Sequence, residues 1–359
     1  MAKCIYREVV LDSSNNPEDG DASSVEHIIP WALGGSNAFT TNDASKFANN
    51  SLGSEVDARF ANTLPIAIMR HRLQLKSQSG SIAPIVWHGE SPEGFGGTVT
   101  IHHDGKVDTV LDSTVNRPQK GQPGPISIAG PRERIEGILD GMLSGMNKRK
   151  EVAYSEDGNL LSSLDDFFAI SKKSLVDKLS LSVEYFNQEA WTRGILKIAL
   201  ASCHKILGSE WTFSADASGI RQAVMNPRKD WTTLPRGFIA GELDRRLRLA
   251  MGKTAKMRDT FQHIVTVLPS DKYGRGIVVV SLFGGNGVPE SLIDIGQLPP
   301  SFCEALNREN NGDTIVGYRV DPKTRVTVPI TFREVDRRMA TQGPSDKKSL
   351  QIYRDPTLR

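Results

Sequence analysis

Ser24-Val25-Glu26-His27-Ile28-Ile29-Pro30-Trp31-Ala32-Leu33-Gly34-Gly35, followed by Ala48-Asn49-Asn50-Ser51-Leu52-Gly53, decides how this chain is read. Val25 to Ile29 is a short β-prone run that sets an acid beside a histidine, and Pro30 stops its pairing because proline has no amide hydrogen to donate. Leu33-Gly34-Gly35-Ser36-Asn37 reads as a loop whose glycines permit positive φ, a tight turn being role enough for the pair. A helix is expected to start at Asn42 or Asp43, each a good N-cap, and to run through Phe47, Leu52, Val56 and Phe60 at helical spacing. Upstream, Cys4-Ile5-Tyr6 reads as another short strand, and Ser13 to Asp21 is turn-rich and acidic. Two strands and a helix around a turn give a ββα unit. A second helix, Ile66 to Leu75, carries the basic run Arg70-His71-Arg72 and closes a first domain over residues 1–75.

The chemistry of these side chains is that of phosphodiester cleavage. Such a site needs a cation to neutralise growing charge, a base to take a proton from water, and a group that positions the base. A Glu-His pair on an apolar strand is by itself an ordinary exposed acid next to a hydrogen-bonded histidine. What gives it meaning is the frame: Glu26-His27-Ile28-Ile29-Pro30, then Leu33-Gly34-Gly35, then Asn49-Asn50-Ser51-Leu52-Gly53-Ser54-Glu55-Val56-Asp57-Ala58. That frame resembles the HNH (ββα-metal finger) endonucleases, in the subfamily with Glu-His-Ile-Ile-Pro, Leu-Gly-Gly, Cys-Asn and Leu-Gly in this order. The likeness covers residues 4 to about 60.

The resemblance implies an α+β fold class, an N-terminal ββα-metal finger followed by a larger mixed region. It also implies a metal-dependent endonuclease that hydrolyses phosphodiester bonds in nucleic acid, DNA before RNA. Glu26 and Asn49 would hold Mg²⁺ or Mn²⁺, for which carboxylate and amide oxygens are suitable hard ligands. Asn50 is the alternative to Asn49. His27 would be the catalytic base; of Thr40, Thr41, Asn42 and Asp43, which all lie nearby, Asn42 would be the residue that orients it; and Arg70, Arg72 or the C-terminal Arg/Lys groups would hold the nucleic-acid backbone. Adjacent strand residues face opposite ways, so Glu26 and His27 need a twist or bulge to serve one site. Many relatives carry two Cys-x-x-Cys pairs around a structural zinc. Here Cys4 stands at the first, Arg7 replaces its partner, and Ser45 and Ala48 stand at the second, so no structural zinc is expected. Phe39, Phe47 and aliphatic residues would hold the finger instead.

The remaining chain is less specific. Residues 76–130 are Gly- and Pro-rich with β-prone runs, a hairpin at Thr98–Val107 around Asp104-Gly105, and a linker at Pro118–Pro125. Residues 131–345 read as an α+β domain of unassigned role, and 346–359 as a polar tail. Helices are expected at Arg132–Lys150, Leu164–Leu181, Tyr185–Leu207 and Phe238–Met251, the third apolar enough to be central. Phe261–Leu268 and Gly276–Leu282 read as paired strands with Lys272-Tyr273-Gly274-Arg275 as their turn. His102-His103-Asp104, Cys203-His204 and Gly284-Gly285-Asn286-Gly287 read as structural, and Asp57 and Arg59 as surface ion-pair residues.

Bulk properties exclude several classes. Apolar runs such as Ile277-Val278-Val279-Val280 are far too short for a membrane span, and Met1-Ala2-Lys3-Cys4 opens no signal peptide. Three cysteines cannot build a disulfide framework, in keeping with a reducing, cytoplasmic setting. A net charge of +2 requires local basic patches for any nucleic-acid partner: Arg70-His71-Arg72, Lys148-Arg149-Lys150, or Arg245-Arg246 with Arg248. Two other functions share the same residues. One is a nuclease-derived protein that binds nucleic acid without cutting it. The other is a defence effector whose C-terminal region senses a ligand or partner and restrains the finger.

Overall fold

The computed structural model describes residues 2–12, 20–91, 95–116, 127–171, 180–182, 187–227, 261–270, 273–307 and 313–335. Ser23–His27 (β1) pairs antiparallel with Thr40–Ser45 (β2), His27 opposite Thr40 and Glu26 opposite Thr41, with an irregularity between Ser24 and Glu26. Asn42 and Asp43 therefore lie in a strand and do not cap the helix. The β-branched Thr40 and Thr41 extend the pairing, and Ser45 takes the cap, its Oγ accepting from the Ala48 amide at 3.3 Å. Lys46–Leu52 (α1) continues through a single wide π turn, Gly53–Asp57, into Ala58–Ala61 (α2), so the expected helix to Phe60 is present with that one irregularity. Leu64–Arg72 (α3) follows, with Pro65 in its first turn. Cys4-Ile5-Tyr6 is not a strand. The Glu8 amide donates to Cys4 O and the Cys4 amide to Val9 O, both at 2.8 Å, and Glu8 at φ 61° reverses the chain.

The described residues form two units, and their boundaries differ from those the composition suggested. Residues 84–184 are one unit. Its sheet contains Ile85–Glu90 (β3), Gly96–Ile101 (β4) and Val107–Leu111 (β5). The small ladder Thr114–Asn116 (β6) with Ser127–Ala129 (β7) precedes the helix Arg132–Arg149 (α4). Ala153–Tyr154 (β8) pairs with Leu160–Leu161 (β9), then come Leu164–Ile170 (α5) and Ser180–Ser182 (β10). The sheet order is β10-β3-β4-β5. The Asp104-Gly105 hairpin and the α4 helix are as expected. The helix expected over Leu164–Leu181 ends at Ile170, and Leu181 pairs with Gly89. Pro118–Pro125, Phe238–Met251, the basic run at 245–248 and the tail lie outside the described residues.

The other unit joins residues 1–83 to residues 185–359. Its centre is Gln188–Leu207 (α6), in which every residue from Ala190 to Cys203 is buried. Ser209–Thr212 (α7) and Ala215–Met225 (α8) pack beside it. His263–Pro269 (β11), Arg275–Ser281 (β12) and Ser291–Gln297 (β13) precede a helix, Pro300–Asn307 (α9), and the strands Ile315–Val320 (β14) and Thr327–Thr331 (β15). All five strands are antiparallel, in the order β13-β12-β11-β14-β15. The N-terminal β1–β2–α1 segment is not a separate domain, because its apolar face and that of the sheet share α6 as one core. At Gly194 a Cβ would sit 2.2 Å from the Phe60 ring, so glycine is what lets α6 approach α2. Phe60 also meets Trp191 edge-on, with centroids 5.4 Å apart. Among the described residues no helix is long and apolar enough to cross a membrane.

Candidate functional site

Strand β1 sorts the two key side chains onto different faces. Val25 is 57% exposed, Glu26 is 2% exposed and His27 is half-buried, so the histidine faces outward and the acid inward. His27 Nε2 lies 2.9 Å from Asn37 Oδ1. An amide oxygen can only accept, so a neutral ring held this way carries its proton on Nε2 and its lone pair on Nδ1. Trp31 stands edge-on to the imidazole, centroids 5.2 Å apart. Across the strand, Asn49 Nδ2 donates to Ser24 Oγ at 2.8 Å and to Val25 O at 2.9 Å, which leaves its carboxamide oxygen as the remaining polar atom. Asn49, and not Asn50, is therefore the helix residue tied to β1.

Glu26 faces a different environment from the one its expected role requires. Its carboxylate is ion-paired with Lys197 Nζ from the middle of α6, and the same ammonium meets Asp57 Oδ2 at 2.6 Å. The Tyr6 hydroxyl is buried without a hydrogen-bond partner, as is Asp57 Oδ1. Burial pushes Asp57 up to about 6; Glu26 adds to the shift and Lys197 offsets part of it. Burial first, then the charges of Glu26 and Asp57, hold the Tyr6 phenol well above its usual range. Burial alone would lower Lys197, but the two carboxylates outweigh it and raise it. Asp57, expected at the surface, belongs to this cluster because the π turn rolls it toward α6.

A Mg²⁺ or Mn²⁺ ion between Glu26 and Asn49 does not fit this arrangement. Mg²⁺ is held through one or two carboxylates with waters and substrate phosphates. The only carboxylate of the expected set is turned inward onto an ammonium. Among the described residues no three His, Cys, Asp or Glu side chains converge as metal ligands.

Other expected positions are also revised. Asn42 does not orient His27. It lines an open cleft of about 580 Å³ with Thr40, Thr41, Asp43, His204, Lys205, Gly208 and Ser209. Asn37, ten residues beyond His27, holds the ring instead, because the loop after the 3₁₀ turn Trp31–Leu33 folds back over β1. Arg70, expected to hold a nucleic-acid backbone, is turned into the protein. It is 6% exposed, and its guanidinium donates to Ala32 O at 2.9 Å and Ala61 O at 3.0 Å. Arg72 is exposed, its guanidinium 5.0 Å from the centroid of the Phe261 ring.

Cys4 Sγ accepts from the Ser45 amide at 3.2 Å, so the positions of the two lost cysteine pairs do meet in space. His204 bridges Asp43 Oδ2 at 2.8 Å and Thr212 Oγ1 at 3.0 Å, while burial pushes the Cys203 thiol up and keeps it inert. His102 pairs with Asp108 at 2.8 Å across the β4–β5 hairpin.

The residues that sequence reasoning missed come from far along the chain. His263 Nε2 donates to Leu33 O at 2.8 Å and its Nδ1 accepts from the Phe283 amide at 3.2 Å. Burial lowers it to about 4, so it is neutral and fixed in one tautomer. Gly34, at φ 91°, lies so close to Pro322 that a Cβ would be 2.4 Å from its carbonyl oxygen. The Gly-Gly pair is thus a docking point for the sheet as well as a turn; its paired glycines were the one visible sign of a close approach. Comparison with models of protein families, with curated proteins and with solved structures found no match for this chain.

Lys197→Met leaves Glu26 buried without its cation and is expected to cost about 3–5 kcal/mol, read by thermal or urea unfolding. Adding Glu26→Gln to it should recover much of that loss; additive losses would show that the pair is not coupled. Asp57 binds its proton more tightly in the folded state, so its contribution to stability is full below its unfolded value of 3.8 and lost as pH rises through about 6. Between pH 5 and 7.5 the wild type should therefore lose up to about 2 kcal/mol relative to Asp57→Asn. Parallel stability profiles would contradict that assignment.

Proposed function

We propose that this chain is an HNH-type nuclease that hydrolyses phosphodiester bonds in nucleic acid, DNA before RNA, through the outer face of its ββα unit. The observation that carries the reading is the state of His27. Its Nε2 meets Asn37 Oδ1, which in the neutral ring leaves the Nδ1 lone pair as a base, and Asn49 of α1 is tied to Ser24 and Val25 of the same strand. Resemblance supplies the reaction class; the geometry supports the role of the histidine within it.

In this mechanism His27 Nδ1 takes a proton from water as the water oxygen attacks phosphorus. A new P–O bond forms, the ester P–O bond breaks opposite it, the departing oxygen takes a proton from solvent water, and the proton on the imidazolium passes to solvent. Asn37 keeps the ring from rotating while its charge changes. The carboxamide oxygen of Asn49, left over by its two donor bonds to β1, would be a polar contact for the attacking water. No step runs through Glu26, which serves the core.

A second reading has one observation in its favour. With Glu26 committed to Lys197, the finger resembles a nuclease that has kept its shape and given up a metal ligand, which suits a protein that binds nucleic acid without cutting it.

The test is incubation of purified protein with supercoiled plasmid and with RNA, each with Mg²⁺, with Mn²⁺ and with chelator, beside His27→Ala. The proposal expects nicking or linearisation that falls by a factor of about 10²–10⁴ in His27→Ala, the size of a lost general base. Retarded mobility of DNA with no cleavage by any form would favour the binding protein and overturn the nuclease.

A further inference from the structure

The turn between β14 and β15 reaches the loop that follows β1. Asp321 builds this turn. Its Oδ1 accepts from the Lys323 and Thr324 amides, both at 2.9 Å, its carbonyl accepts from the Arg325 amide at 2.8 Å, and its own amide donates to Val326 O at 3.0 Å. Arg325 sits at φ 58°, in the left-handed region that a side chain rarely adopts, so the turn is a rigid mount that holds one residue in a costly conformation. The Arg325 guanidinium lies 3.3 Å from the centroid of the Trp31 ring. It donates to Gly35 O at 2.9 Å, and more weakly to Trp31 O and Lys76 O at 3.4 Å each. Burial lowers its pKa. Trp31 in turn meets His27 edge-on.

We infer that Arg325 is a positioning residue for His27, acting through the Trp31 ring, so that the C-terminal sheet sets the orientation of the base in the finger. The inference rests on the reading of His27 as the base. Two contacts define the imidazole: Asn37 at Nε2 and the Trp31 edge beside the ring. Asn37 alone fixes one ring atom and leaves rotation about the axis through it. Trp31 removes that freedom only if its own plane is fixed, and the guanidinium stacked on the indole fixes it. The planar fork is required, because it stacks on the ring and donates to carbonyls on the Trp31–Gly35 loop at the same time; an ammonium cannot do both. Pro322 against Gly34 and His263 on Leu33 O seat the same loop, so the mount and the loop move together.

The experiment is ¹⁵N-histidine NMR of the full chain, with the His27 resonances assigned by their loss in His27→Ala, combined with kcat and KM on plasmid. Wild type should show a single Nε2–H tautomer at His27. Arg325→Ala, and Arg325→Lys with it, should show a mixture of tautomers and a kcat lower by about ten- to a hundredfold at unchanged KM. Trp31→Phe, which keeps a ring but loses most of the stacking area, should give an intermediate mixture, and it serves as the reporter if Arg325→Ala does not fold. A His27 spectrum unchanged in folded Arg325→Ala or Trp31→Phe overturns the inference. Full rescue by Arg325→Lys overturns the stacking argument with it. If wild type does not cut any substrate, the nuclease reading fails, while the tautomer at His27 still decides whether Arg325 positions the ring.

Discussion

The fold of the larger unit depends on one buried cation. Lys197 enters the interior in the middle of α6 and meets two carboxylates, Glu26 from strand β1 and Asp57 from the π turn after α1. An ammonium in such a place is costly unless it is paired, and burial, with a smaller contribution from Glu26, raises the affinity of Asp57 for a proton although Lys197 offsets part of the shift. Each partner is therefore needed by the others. The cluster joins segments about 140 residues apart in sequence, which is why residues 1–83 share a core with the C-terminal helices and sheet.

The same cluster determines what β1 presents to solvent. A strand alternates its faces, and once Glu26 is committed to Lys197 its neighbours Val25 and His27 must look outward. The irregularity in β1 lies before Glu26 and does not bring the acid round to the histidine's side. A frame that resembles a metal-binding finger thus carries its acid in a structural role. Its outer face keeps a histidine, two asparagines and a tryptophan. The loop that supplies Trp31 and Asn37 is held from behind by three residues of the C-terminal sheet region, His263, Pro322 and Arg325.

Much of this was legible locally. The ββα order, the extent of the helix to Phe60, the α4 and α6 helices, the Asp104-Gly105 hairpin and the paired β11 and β12 strands all follow from periodicity, caps and turn residues. The errors came where a distant partner or one backbone angle decided the matter. Cys4-Ile5-Tyr6 is β-prone but turns, because Glu8 adopts a left-handed conformation. Asn42 is a good cap, but Thr40 and Thr41 pair with β1 and carry it into a strand. Arg70 sits in a basic run, yet two main-chain carbonyls bury it, and Leu181 follows a helical pattern but pairs with Gly89. The inward turn of Glu26 required knowledge of Lys197, and the hold on His27 required Asn37 and Arg325. Neither can be read from spacing, because each is a contact between elements whose packing no local pattern encodes.

The most direct measurement is an anomalous difference map from crystals of the full chain soaked with Mn²⁺. It reads the partner of Glu26 without reference to activity. The account predicts that Glu26 stays on Lys197 and that no manganese peak touches its carboxylate, whatever the ion does at the outer face near Asn49. A manganese peak bonded to Glu26, with Lys197 displaced from it, would contradict the claim that this acid belongs to the core.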